Sequence, residues 1–140
     1  MSLEPNAQSS YPPLPGETIG FRAMLRRGWF DARNQQVLPG AFIRRPAPND
    51  PDGLSVGIFC PVDDYLKGFR ETFGHAMVHV EYVRELGLDV IQDEPRHASI
   101  VGAPYREDDP ERAETLANQL ARKANQLAKD SASMNTSNSA

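Results

Sequence analysis

The chain has 140 residues, with 15 Lys and Arg against 19 Asp and Glu, a formal net charge of −4 and one cysteine, Cys60. That length suits a single domain; one cysteine excludes an intrachain disulfide, and an acidic balance makes nucleic acid an unlikely partner, since non-specific duplex binding rests on neutralising phosphates. No stretch approaches the roughly 20 apolar residues of a membrane span, and the N-terminal MSLEPNAQSSYPPLPGE lacks the basic start and apolar run of a secretory signal, so a cytoplasmic protein is expected.

Residues 1–17 are rich in Pro, Ser, Asn and Gln and are expected to be disordered or extended on the surface, ahead of a single α+β domain over 18–129. Within them Tyr11-Pro12-Pro13-Leu14-Pro15 has a polyproline bias of the kind that docks in aromatic grooves, though a bare linker accounts for it as well. In TIGFRAMLRRGWF, Phe21, Ala23 and Leu25 alternate with Arg22, Met24 and Arg26, which predicts a half-buried strand near 20–26 with arginines on one side. Trp29 and Phe30 are expected to cap an edge of the core, and Ala41-Phe42-Ile43 to form a short strand leading into Arg44-Arg45.

The Pro-rich PAPNDPDG at 46–53 is a loop, and 54–60 leaves it as a strand with Leu54, Val56 and Ile58 on one face and Ser55 and Gly57 on the other. Two small residues there allow close approach by a neighbouring element or a ligand. Val62, Tyr65, Leu66, Phe69 and Phe73 keep helical spacing and predict a helix over 62–73, with Asp63 and Asp64 in its first turn.

The densest apolar run follows, from Met77 to Gly102. It reads as a strand at 77–81, a short helical turn closed by Gly87, and strands at 88–92 and 97–101 joined as a hairpin by a loop longer than two residues. Asp109 then Pro110 marks a helix start, and Leu116, Ala117, Leu120, Ala121 and Ala124 continue one stripe to about residue 129. Its small side chains suit close packing on the sheet, or self-association through the 110–129 helix. The final residues, 130–140, have no core-forming pattern and read as a disordered tail. The expected architecture is a mixed or antiparallel sheet covered by two helices.

Charge is unevenly placed: 20–45 holds six arginines against Asp31 alone, whereas 63–112 holds twelve acids against six bases. Solvated surfaces of opposite sign explain this, and so does a phosphate or acidic-partner site made by Arg22, Arg26, Arg44 and Arg45. His75, His79, His97 and Cys60 do not have strong metal-ligand spacing, because Gly74 should end the preceding helix and Met77 to Val80 reads as strand, which separates the two closest rings. Gly53-Leu54-Ser55-Val56-Gly57 satisfies a Gly-x-Ser-x-Gly pattern, but strand continues after Ser55 where a nucleophile elbow needs a turn into a helix.

Phe21-Arg22 on an early strand, Ala41-Phe42, Gly53-Leu54-Ser55-Val56 on a later strand and His97-Ala98 resemble small bacterial proteins whose layout is similar to compact ADP-ribosyltransferase-like domains. The resemblance covers about residues 20–102. It implies a sheet split around a nicotinamide pocket, NAD as ligand, and Arg22, Ser55 and Glu81 as the catalytic set. Two readings of function therefore stand. The first is a non-catalytic binding or accessory module for a protein partner or a phosphate-bearing ligand, with no cofactor; the second is the NAD-binding enzyme or a degenerate relative.

Overall fold

A computed structural model of the chain describes residues 11–46, 49–50 and 53–139, the side chains from 131 onward excepted. The disorder expected at 1–10 lies outside the described residues. The fold is α+β, with a five-stranded antiparallel sheet in the order β5-β1-β4-β7-β6, a small two-stranded sheet, and one long C-terminal helix packed on the large sheet.

The large sheet comprises β1 (Ile19–Ala23), β4 (Leu54–Gly57), β5 (His75–His79), β6 (Asp89–Glu94) and β7 (His97–Val101), and β2 (Phe30–Asp31) and β3 (Gln36–Val37) make the small one. Three helices interleave: α1 (Val62–Leu66), α2 (Val80–Glu85) and α3 (Pro110–Ser139). Helical backbone thus continues past Lys129, where the apolar stripe ends. One inner sheet face carries Val56, Ala76, Val78, Val90, Ala98 and Ile100, all buried in one core with Leu116, Ala117, Leu120, Ala121 and Ala124 of α3. Small residues every third or fourth position let the helix approach the strands closely, which is why the stripe belongs to the sheet.

Several expectations change. The burial at 21–25 does not follow the expected alternation: Arg22, Ala23 and Met24 are all buried, whereas Phe21 and Leu25 are only half-buried. Ala41 and Phe42 are core residues of a 3₁₀ turn over Pro39–Phe42, and the short strand expected at 41–43 is absent. Pro39 fixes the start of that turn and Gly40 sits against the Trp29 ring. Residues 62–73 do not form one helix: α1 stops at Leu66, and no residue of α1 is buried. Gly68 falls just past its end, where its backbone freedom favours stopping the helix.

The hairpin of β6 and β7 pairs Asp89 with Val101 and Val90 with Ile100 as expected, but Pro95 and Arg96 alone connect the strands. The additional residue is absorbed by a register shift between Gln92 and Glu94, a β-bulge. The turn closed by Gly87 is α2, and Gly87 has the positive φ of 88° that favours glycine. Gly57 is needed for space, since a Cβ there would collide with the Tyr65 ring of α1.

Leu14 is buried in the core, so the described part of the N-terminal segment is fixed to the fold. Gly16 O accepts from Glu81 N and Thr18 O from Val80 N, which ties the segment to the start of α2. Tyr11, Pro12 and Pro13 lie beside β6 across a cleft of about 270 Å³. The polyproline bias is therefore used against the chain's own sheet.

Stability should follow these contacts. Leu120→Ala is expected to cost about 2–5 kcal/mol in urea unfolding. Phe69→Ala, on a half-buried ring whose partner is Tyr65 at 5.2 Å, should cost only about 1 kcal/mol.

Candidate functional site

The arginine block is the first candidate for a ligand site, and the fold uses Arg22, Arg44 and Arg45 of it internally. Arg22 is 3% exposed; its Nε donates to Ala41 O at 2.6 Å and a terminal nitrogen to Ser55 O at 2.9 Å. The Trp29 ring lies 5.0 Å from its guanidinium, and the other terminal nitrogen is buried without a partner among the described residues. Burial lowers the Arg22 pKa to about 10, with Asp50 and Tyr65 acting in the opposite sense and Arg45 adding to the depression.

Arg45 grips Asp50 with a fork: Nε to Oδ2 at 3.0 Å and a terminal nitrogen to Oδ1 at 3.1 Å, with its backbone N on Oδ2 at 2.8 Å. Arg44 Nε donates to Asp50 O at 3.0 Å, and its guanidinium stacks 4.0 Å from the Tyr105 ring. Burial pushes the Asp50 carboxyl up, but the hydrogen bonds from Arg45 and the charges of Arg45 and Arg22 outweigh it and hold it below the usual carboxylate value. Arg26 is exposed and stands apart from this group. The four arginines therefore do not converge on one open surface.

Arg22 and Ser55 do not share a pocket. Phe21 pairs with Gly57, so Gly57 and Ser55 take the outer face with Phe21, while Arg22 turns to the inner face. Arg22 touches only the backbone carbonyl of Ser55. Glu81 is exposed at the start of α2, past the far end of β1 from Arg22, with its carboxyl end against Gly16. The Arg22, Ser55 and Glu81 set is thus dispersed over three surroundings.

A different group is assembled on the outer face. Ser55 stands across from Ser99, and Gly57 across from His97, so Ser55 and His97 are diagonal neighbours on β4 and β7. Ser55 Oγ lies 2.5 Å from His97 Nε2, and His97 Nδ1 lies 2.6 Å from Asp93 Oδ1. The bulge sets both Asp93 and Glu94 opposite His97, bringing the carboxylate to the ring. The ring and carboxylate remain open to solvent, at 33% and 50% side-chain exposure. Sequence reasoning had Ser55 and His97 separately and missed Asp93, because neither the strand register nor the bulge can be read from spacing.

Among the described residues no group of three or more His, Cys, Asp or Glu could hold a metal ion. His75 and His79 sit on one strand four residues apart, roughly 13 Å at strand rise, too far for a shared ion. Burial lowers the His75 pKa, with Asp63 opposing.

A further opening lies along β5. It is a groove of about 700 Å³ whose walls include Phe30, Val37, Phe73, Met77, Ala124 and Lys129. β5 is an outer strand, paired on one side with β1. The flanking bonds Met24 N to Gly74 O and Val80 N to Thr18 O set the ladder, so Ala76 and Val78 bond toward β1 and His75, Met77 and His79 direct their backbone groups outward. Among the described residues nothing pairs with that edge. Asn125 of α3 meanwhile closes β3, accepting from Val37 N at 2.7 Å and donating to Val37 O at 3.0 Å. No described helix is long and apolar enough to cross a membrane.

Comparisons with protein-family models, with curated proteins and with solved structures find no match to this chain.

Two outcomes are expected. Because the Asp50 pKa is depressed in the folded state, its stabilisation is present above the unfolded carboxylate value, about pH 4, and is lost as pH falls through the folded value. Asp50→Asn should then lose about 2–4 kcal/mol at pH 7, with the gap to wild type closing on acidification in urea titrations. Separately, millimolar NAD should leave the melting temperature of the wild type unchanged; a clear rise that Arg22→Ala abolishes would reinstate a nicotinamide site.

Proposed function

We propose that this chain is a binding or accessory module that takes an extended segment of a protein partner along the open edge of β5. The observation that carries the reading is the outward row of backbone groups at His75, Met77 and His79 beside a groove of mixed apolar and amide side chains. An extended segment added there gains main-chain hydrogen bonds from the edge and side-chain pockets from the groove. Native sheets seldom leave such an edge flat and bare, since it invites pairing with other chains.

The other surfaces favour this choice by what they are already used for. The apolar stripe of α3 is buried on the sheet, which leaves little of it for self-association. Arg22, Arg44 and Arg45 hold the chain's own carbonyls and Asp50, which weakens the reading of a phosphate-bearing ligand. Lys129 lines the groove, and among the described residues no carboxylate does. The fitting occupant is therefore an extended stretch that alternates apolar with acidic side chains.

The test is a library of displayed extended peptides selected on the wild type alone and then measured on Met77→Pro. Proline at 77 removes an N–H that points away from β1, so the ladder to β1 keeps its bonds. Selected peptides should bind Met77→Pro at least about tenfold more weakly, and should slow hydrogen exchange at the amides of 75, 77 and 79. Equal binding to both proteins, or protection confined to α3, refutes the edge as the docking site.

A further inference from the structure

We infer that Ser55 is an activated nucleophile, with His97 as its general base and Asp93 as the residue that positions the imidazole, able to take the acyl group of a small carboxylic ester. This goes beyond the binding reading and does not depend on it. Three observations converge. A hydroxyl, both ring nitrogens and a carboxylate form one continuous chain of contacts at 2.5 and 2.6 Å. The carboxylate reaches the ring through a bulge, a device that re-aims side chains and is over-represented beside active sites. All three groups lie on the outer face, away from the core, with the ring and carboxylate partly exposed.

The arrangement fits the general requirement for an activated serine: nucleophile and base within hydrogen-bond reach, and the base oriented by a third group. With His97 neutral, Nδ1–H donates to Asp93 and Nε2 accepts from Ser55 Oγ–H. As Oγ attacks the ester carbonyl, the Oγ–C bond forms and the hydroxyl proton passes to Nε2. The acyl C–O bond to the leaving group then breaks, and the departing alkoxide takes that proton as an alcohol. Water completes the cycle by the same route, returning a carboxylic acid and free Ser55. Neither step needs an oxidant, a reductant or a metal. The elbow that Gly53-Leu54-Ser55-Val56-Gly57 lacks is not required for this arrangement, because β4 presents Ser55 to the histidine of the neighbouring strand.

The full chain treated with a fluorophosphonate probe, followed by intact mass and peptide mapping, tests the assignment. In this reaction Ser55 Oγ bonds to phosphorus, the P–F bond breaks, and fluoride leaves while the hydroxyl proton goes to His97. A single adduct at Ser55 is expected. Its formation should slow about 100-fold or more in His97→Ala and should also slow in Asp93→Asn, whereas Ser99→Ala, directly across the strand pair, should label at the wild-type rate. A far-downfield proton on His97 Nδ1 should appear in the NMR spectrum of the wild type and vanish in Asp93→Asn, a signature that a purely structural role for Asp93 in the hairpin turn would not require. No adduct on the folded wild type, an adduct at another residue, or a Ser55 rate unchanged in His97→Ala overturns the proposal. The wild-type Nδ1 signal needs no variant to fold, and its absence likewise overturns it.

Discussion

The buried guanidinium of Arg22 is the constraint on which the irregular third of this fold depends. Taking such a charge out of water costs several kcal/mol, so the chain has to surround it with groups that offset the loss. It does so with the carbonyls of Ala41 and Ser55, the face of Trp29 and the nearby charge of Asp50. Each of those groups then has a required position. The 3₁₀ turn at Pro39–Phe42 delivers the Ala41 carbonyl, and Trp29, 6% exposed, lies between β1 and that turn. Arg45 lies 5.1 Å from the same indole and holds Asp50, so the position of Asp50 is set by the same cluster. A stretch with little regular hydrogen bonding is in this way ordered by one side chain.

That cluster also decides what the arginines can do. A guanidinium that spends its donors on the chain's own carbonyls has lost most of its use as an anion receptor. The uneven charge along the sequence is therefore an imprint of folding more than of ligand binding. The proposed recognition therefore turns on the sheet edges. The β6 side has Tyr11, Pro12 and Pro13 beside it, and proline lacks the donor through which another strand would pair. The β5 side has a groove in place of a strap. The two edges of one sheet are thus handled in opposite ways, and that asymmetry is what favours β5 as the docking side.

How much of this could be read in the sequence follows from the range of the interactions involved. The α3 stripe, the Gly87 stop and the β6 and β7 pairing were legible because each rests on contacts near in sequence or on a strict period. The burial of Arg22 on β1 was not, because an arginine at an inward position is disfavoured until Ala41, Ser55 and Trp29 are known to meet it. Val62, Tyr65, Leu66, Phe69 and Phe73 kept a helical period, yet α1 ends at Leu66, since local propensity at Gly68 outweighs a stripe with little core to face. Asp93 escaped attention for a related reason. A carboxylate in Asp93-Glu94-Pro95 looks like an ordinary turn residue until the bulge sets it against His97.

The sheet also separates the two places where chemistry can occur. Ser55 lies on β4, two strands inward from β5, which is roughly 10 Å at the usual strand spacing. Proline at 77 changes no atom of the Ser55, His97 and Asp93 chain, and alanine at 55 removes no backbone group from the β5 edge. The edge offers main-chain hydrogen bonds and an adjoining groove, properties that select for extended conformation. The outer face offers one hydroxyl with a base behind it, a property that selects for an electrophile. A sheet open at one edge and only partly covered on its outer face can support both, because the inner face and α3 already provide the burial that stability requires.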